Sequence, residues 1–145
     1  MKWLRGAGAT LLLLGATTGC ASGLLFVNNH LITITSPRQY STVRLPVLLR
    51  FRVMPDSGAV RYAVFLDRAP MPPGSTVAHF SADDRQGIAV ISNWSLLYRT
   101  MPRRQGAPAG EQDQHEITVV DLDASGRRIG ETEAFVDFTL KRSAG

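Results

Sequence analysis

A single cysteine, Cys20, is present among the 145 residues. One thiol cannot close a disulfide within the chain, and it cannot supply the several thiolates of a structural zinc site. The sequence therefore predicts a domain that is stabilised by packing alone, and it excludes a redox pair of cysteines.

Histidine is also scarce, with only His30, His79 and His115. None of them has a second ligand at a spacing used for zinc, and the chain lacks the Gly-x-Ser-x-Gly motif of many hydrolases. His79 is expected in a central strand, and His115 is expected at the start of another. We predict a protein that is not an enzyme and that uses neither a metal nor another cofactor.

Charge of one sign is not in large excess, because 16 lysines and arginines are balanced by 12 aspartates and glutamates, which leaves a formal net charge of +4. Removal of an N-terminal segment that contains Lys2 and Arg5 would lower this charge from +4 to +2. Nucleic-acid-binding domains carry a stronger basic bias on one face. The composition therefore argues against nucleic acid as a partner.

The first twenty residues have the layout of an export signal. Lys2 and Arg5 form a basic start, an apolar core follows over residues 7–16, and small residues lead to Cys20. This order of a charged, an apolar and a small-residue region is that of a secretory leader. We expect residues 1–19 to be a signal peptide.

The segment Thr17-Thr18-Gly19-Cys20 resembles the lipobox of bacterial lipoproteins. The resemblance implies cleavage before Cys20 and its modification with a diglyceride and palmitate, so that residues 20–30 tether the domain to a membrane. The alternative is an uncleaved single-pass helix, because residues 6–27 carry no charge and are numerous enough to span a bilayer. In both cases Lys2 and Arg5 keep the N-terminus inside, and the domain lies on the exoplasmic side, in the cell envelope.

From Leu31 onward the apolar residues recur with a period of two, which is typical of β-strands. Residues 47–53, 60–67 and 134–140 alternate in this way and are rich in β-branched and aromatic residues. Residues 68–74 predict a stiff, proline-rich connection, and residues 102–114 predict a mobile loop. About seven short strands on a chain of this length favour one all-β domain over residues 31–145, an antiparallel β-sandwich.

Several segments resemble those of bacterial immunoglobulin-like domains. Two of them, Ile32-Thr33-Ile34-Thr35-Ser36-Pro37 and the stretch from Thr42-Val43 to Leu45-Pro46-Val47, are similar to the first two strands of that family. Residues 62–67 are similar to its third strand, and residues 115–126 to the strand and Asp-x-x-Gly turn before the last strand. The resemblance covers residues 31–141 and implies an immunoglobulin-like sandwich.

Two residues depart from the pattern of that family. His115 stands where a tyrosine is frequent, and we expect it to form a hydrogen bond at a strand corner. Asp121 stands where a small apolar residue is usual. Because an unpaired buried carboxylate is costly, Asp121 is expected near the rim of a sheet and paired with an arginine.

Candidate binding residues lie between positions 94 and 104. Trp94 and Tyr98 would suit stacking on a sugar or contact with a protein if they were exposed, although Trp94 is expected to fill the space between the sheets. Arg99, Arg103 and Arg104 form the densest basic cluster, whose guanidinium groups suit phosphate or carboxylate ligands.

These observations predict a non-catalytic lipoprotein of the cell envelope that binds or scaffolds a protein partner and contacts the membrane through Cys20. One alternative is a module that binds cell-wall or surface polysaccharide through Trp94, Tyr98 and the nearby arginines. Another alternative is an accessory subunit of a larger membrane complex. A fold by itself does not choose among these partners.

Overall fold

The computed structural model describes residues 31–102, 113–131 and 133–141. The predicted signal peptide, the lipidation of Cys20, the tether, Arg103 and Arg104 lie outside the described residues. The strands are β1 (Ile32–Ser36), β2 (Ser41–Val43), β3 (Val47–Val53), β4 (Arg61–Leu66), β5 (Ile88–Ile91), β6 (Ser95–Tyr98), β7 (Asp113–Leu122) and β8 (Ala134–Leu140). No helix in these ranges is long and apolar enough to cross a bilayer.

The eight strands form two sheets. One sheet has the order β1-β3-β6, and the other has the order β2-β8-β7-β4-β5. The predicted all-β class with two sheets is therefore confirmed. The expectation of a purely antiparallel sandwich is corrected, because the chain crosses between the sheets after β1 and β2 then lies parallel to β8.

The main core lies between the two sheets, where alternate residues of each strand point inward. In β3 these residues are Val47, Leu49 and Phe51, as the period of two predicts. The Phe51 ring packs edge-on against Tyr62 of β4, with ring centroids 5.0 Å apart. This pair occupies the space between the sheets at that level of the sandwich.

A second core covers part of the outer face of the five-stranded sheet. Phe65 and Val120 point to this face and pack against Met71, which belongs to the proline-rich connection, and against Phe80. The Phe65 and Phe80 rings are 5.9 Å apart between centroids. Because both faces of β4 are covered, residues 62–66 are all buried, which explains their unbroken apolar sequence.

Arg128 attaches this covering segment to the sheet. Its Nη1 donates to the carbonyl of Met71 at 2.6 Å, and its Nη2 lies 3.1 Å from the Glu133 carboxylate. Both charged side chains are buried. A buried pair of this kind is satisfied only while each partner is present, so Arg128 ties the position of the cover to the strand that begins after Glu133.

Candidate functional site

The structure separates the residues that the sequence proposed as a binding cluster. Trp94 lies in the connection between β5 and β6 and is 61% exposed, so the expectation that it fills the space between the sheets is wrong. The physical reason is that Phe51 and Tyr62 already occupy that space, and Trp94 engages the sheet through its carbonyl, which accepts from the Phe51 N–H at 3.1 Å.

Tyr98 is directed toward the core rather than the surface. Its ring packs against the cluster of buried residues between the sheets, and its hydroxyl is buried without a hydrogen-bond partner among the described residues. Burial, and to a lesser degree the charge of Asp67, raise the pKa of Tyr98 above its ordinary value. Arg99 is exposed directly after β6. Trp94 and Arg99 are therefore exposed at opposite ends of β6, whereas the Tyr98 ring packs inward.

His115 forms the strand-corner hydrogen bond that the sequence predicted. Its Nδ1 donates to Oδ2 of Asp67 at 2.7 Å, and the other oxygen of that carboxylate accepts from the Glu116 N–H at 3.0 Å. Asp67 adopts φ of 55° directly after β4, where an aspartate is one of the few residues that tolerate this conformation. The Asp67 side chain thus continues the pairing of β4 with β7 beyond the end of the strand.

The other histidine and aspartate expectations are corrected in part. His79 is exposed in a short 3-10 helix, Val77–His79, and not in a central strand, because this segment runs over the sheet as part of its cover. Asp121 lies one residue before the end of β7, but it faces the core, is only 2% exposed and forms no ion pair with an arginine among the described residues. Burial raises the pKa of Asp121 to about 6.

A groove of about 760 Å³ opens on the uncovered part of the five-stranded sheet, over β7 and β8. We call it the acidic groove, because four carboxylates and one guanidinium are among its lining side chains. It is lined by Tyr40, Asp67, Arg68, Ala69, Pro70, Gln114, His115, Glu116, Thr118, Glu133, Phe135, Asp137, Phe138 and Thr139.

The floor of the acidic groove carries two carboxylates directly opposite each other. Glu116 of β7 is paired with Asp137 of β8 in the register of the sheet. Asp137 is held by Gln39, which donates to it from Nε2 at 2.9 Å, whereas the nearest donor to the Glu116 carboxylate is the Thr118 hydroxyl at 3.5 Å. Like charges at directly opposed positions destabilise a sheet.

The electrostatics of the groove reflect this crowding. Partial burial raises the pKa of Glu116, and the carboxylates of Asp137, Glu133 and Asp67 raise it further, while the hydrogen bond from Thr118 acts in the opposite direction. Glu133 is compensated by Arg128. The negative charge of Glu116 is therefore the least compensated of the four carboxylates. A cation would have its most favourable electrostatic interaction in the groove beside Glu116.

Two aromatic residues flank the carboxylates. Tyr40 is 79% exposed and adopts φ of 57°, and its N–H donates to the Asp137 carbonyl at 2.6 Å, which holds its backbone beside β8. Phe135 points outward from β8 and is 40% exposed. Exposed rings next to carboxylates are suited to the aliphatic stems and charged heads of lysine and arginine side chains.

A buried histidine also lines the groove. Among the residues that the structure describes, the Nε2 atom of His115 has no hydrogen-bond partner, and Oδ1 of Asp113 lies 3.6 Å from it. The His115 ring packs against Phe138 with centroids 5.8 Å apart. No three His, Asp or Glu side chains of the described ranges are arranged to hold a metal ion.

The acidic groove was not predictable from the sequence. Its members come from positions as far apart as 40 and 139, and only the register between β7 and β8 brings Glu116 opposite Asp137. The one signal available in the sequence was the presence of acids at outward positions of two strongly apolar strands. No protein-family model matches the chain, and neither curated proteins nor solved structures gave a match.

Proposed function

We propose that the chain is a bacterial envelope lipoprotein, attached to the membrane by a lipid on Cys20, whose domain binds a partner protein without turnover. The lipobox-like Thr17-Thr18-Gly19-Cys20 supports the attachment. Eleven residues separate Cys20 from the start of β1 at Ile32, a length that spans at most about 40 Å when extended. The domain would act close to the membrane surface, on the exoplasmic side.

We propose further that the sandwich is of the immunoglobulin-like type. In that fold, strands A, B and E share one sheet, while G, F, C and C′ are neighbours in the other. The orders β1-β3-β6 and β8-β7-β4-β5 correspond to these two sets. His115, near the start of β7, occupies a place similar to that of the tyrosine near the start of strand F, but it bonds to the Asp67 side chain and not to the backbone a few residues upstream.

The ligand that fits the acidic groove best is an extended, basic segment of a partner protein. The outward residues of β7 from Gln114 to Thr118 extend over about 14 Å, the length of four or five residues of an extended chain. Carboxylates accept bidentate hydrogen bonds from arginine, and the Tyr40 and Phe135 rings suit its guanidinium plane. A volume of about 760 Å³ lies within the ordinary range of ligand sites.

A single observation carries this proposal, namely the Glu116–Asp137 pair across the groove floor. Two carboxylates in this position lower the stability of the free protein. A bound lysine or arginine would remove this repulsion. The repulsive energy that destabilises the free protein would then contribute to the free energy of binding. The same reasoning predicts that affinity falls as salt concentration rises, because exposed charges are screened.

The test is a titration of the purified full-length protein with an eight-residue oligoarginine probe, followed by calorimetry. We expect binding that weakens about tenfold in Glu116→Gln and more strongly when Asp137→Asn is added. Asp83→Asn is the matched control, because Asp83 is exposed in a short 3-10 helix away from the groove. Equal affinity in the wild type, the groove variants and the control would overturn the proposal.

Membrane attachment is tested separately by intact mass. The wild-type protein purified from membranes should begin at Cys20 and carry the added mass of a diglyceride and fatty acid. The Cys20→Ser variant should retain its leader or lose membrane attachment. An unmodified full-length mass in the wild type would instead support the single-pass anchor.

The strong exposure of Trp94 favours polysaccharide binding as a second candidate function. An exposed indole suits stacking on a sugar, and the exposed Arg99 lies beyond the opposite end of β6. Retention of the protein on isolated envelope glycan that is lost in Trp94→Ala, but unchanged in Glu116→Gln, would favour this candidate. Specific crosslinking to one membrane protein would instead favour a role as an accessory subunit.

A further inference from the structure

The outer surface of the three-stranded sheet differs in charge from the acidic groove. We call it the basic face, and it consists of the outward side chains of β1, β3 and β6. They are Thr33, Thr35, Leu48, Arg50, Arg52, Ser95 and Leu97. None of these residues is acidic, and none of the other residues in the three strands is acidic either.

The two arginines of this face lie on its central strand. Arg50 and Arg52 are exposed and two residues apart, which places them about 7 Å from each other on one side of the sheet. Neither guanidinium forms an ion pair with a residue of the described ranges. Arginine is well suited to contacts with carboxylates because its planar group donates two parallel hydrogen bonds.

We infer that the basic face of one copy of this chain docks into the acidic groove of a second copy. The inference rests on the proposed function, since it names the basic partner of the groove. Charge complementarity supports it, because Arg50 and Arg52 form no ion pair within the described part of the chain, and Glu116 and Asp137 are opposed carboxylates. The groove also offers Tyr40 and Phe135 as exposed rings for the guanidinium groups.

The position of the two surfaces determines the form of the assembly. They lie on the outer faces of the two different sheets, so one copy can engage a neighbour on each side. Contacts between unlike surfaces repeat without closing unless a rotation brings the ends together. The expected assembly is therefore a head-to-tail stack of domains rather than a symmetric dimer.

The size of the basic face limits the strength of the contact. Three strands of five, seven and four residues lie side by side and cover roughly 260 Å² of sheet on each copy. This area is below that of ordinary specific interfaces, which bury about 800 Å² on each partner, so we expect a weak and transient association in solution. Attachment of many copies to one membrane raises their effective concentration, and the stack would form there more readily.

The experiment measures sedimentation of the full-length protein in non-ionic detergent over a range of concentrations. The wild type should increase in average mass with concentration, and this increase should disappear in 0.5 M salt. Arg50→Glu with Arg52→Glu breaks the basic face, and Glu116→Lys breaks the groove. Each variant alone should remain monomeric, while Arg61→Glu, at an exposed arginine outside both surfaces, should behave as the wild type.

Mixing the two variants gives the decisive result. The first variant keeps an intact groove and the second keeps an intact basic face, so their mixture should form a one-to-one dimer that cannot extend. A symmetric contact, or association through the shared apolar leader, would not show this complementation. All variants share the same N-terminal residues, so any association caused by the leader would persist in each variant and in high salt.

The outcomes separate this inference from the proposed function. If the wild type binds oligoarginine in the groove but remains monomeric at every concentration, the second copy is excluded as the partner and the function stands. If association persists in both the basic-face variant and the groove variant, the inference is overturned. If neither oligoarginine nor a second copy binds, both proposals fall together.

Discussion

The outer face of the five-stranded sheet is covered over β4 by the segment that contains Met71 and Phe80, whereas nearly all of the outward side chains of the three-stranded sheet are exposed. The cover ends before β8, and the acidic groove begins beside it. The five-stranded sheet thus divides its outer surface between packing and a charged groove, while the outer surface of the three-stranded sheet carries only small polar, aliphatic and basic side chains.

This comparison shows how a covered sheet face constrains the amino-acid sequence of its strands. A strand that is covered on both sides needs apolar residues at every position, as in residues 62–66, whereas β3 alternates apolar and basic residues because only one of its faces is covered. The outward positions of β3 are therefore free to carry charge without loss of stability. The distribution of charge over the molecule follows from where the second core is placed.

The largest predicted effect tests the covered face. Phe65→Ala removes a fully buried ring from the second core and should lower the free energy of unfolding by about 3–5 kcal/mol, through lost burial and a cavity next to Met71 and Phe80. Leu97→Ala on the basic face should change it by less than about 0.5 kcal/mol. Urea denaturation measures both. Similar effects in the two variants would show that the second core does not stabilise the fold.

The next effect tests how the cover is attached. Arg128→Ala leaves the buried Glu133 carboxylate and the Met71 carbonyl without this partner, and should cost about 3 kcal/mol. Arg52→Ala is the matched control, because Arg52 is exposed and forms no ion pair among the described residues, and it should be nearly neutral. Hydrogen exchange should show faster exchange at Gly74, whose N–H donates to the Arg128 carbonyl. Protection at Gly74 as strong as in the wild type would argue against this role of Arg128.

The third effect concerns the interior between the two faces. The pKa of Asp121 is raised to about 6 by burial, against an ordinary value near 4, so its ionisation opposes folding. The wild type should lose about 2–3 kcal/mol of stability from this group as pH rises from about 4 to about 6, and no more above that. Asp121→Asn should remove this loss and be more stable than the wild type at pH 7.

Asp123 gives a comparison of opposite sign for the same measurement. Hydrogen bonds from Ser125 and Arg127 lower the pKa of this exposed carboxyl, so its contribution is present above its unfolded pKa and is lost as the pH falls. Asp123→Asn should therefore destabilise the protein at neutral pH. Denaturation curves at pH 3.5, 5 and 7 distinguish the two. If the stability difference between Asp121→Asn and the wild type does not change with pH, then the pKa of Asp121 is not raised in the folded protein.

The strand pattern of the fold was predictable from sequence, and the candidate site was not. The alternation in residues 47–53 and 134–140 identified β3 and β8 with their inward faces, because a period of two is a local property. Trp94 was misplaced because its burial depends on which side chains fill the space between the sheets. The groove depends on strand register, and the role of Met71 depends on the path of a connection, neither of which is local.

The smallest predicted effect links the stability of the groove to its proposed use. Glu116→Gln removes one of two opposed carboxylates and should stabilise the free protein by about 0.2–1 kcal/mol at pH 7. Because the pKa of Glu116 is raised in the folded state, the gain should be present above its ordinary pKa and vanish at lower pH, and salt should reduce it. Asp83→Asn should show no such gain. If Glu116→Gln is more stable yet binds oligoarginine less well, the groove gives up folding stability in exchange for binding. If the variant is less stable, Glu116 has a structural partner, and the two carboxylates on the groove floor do not repel each other.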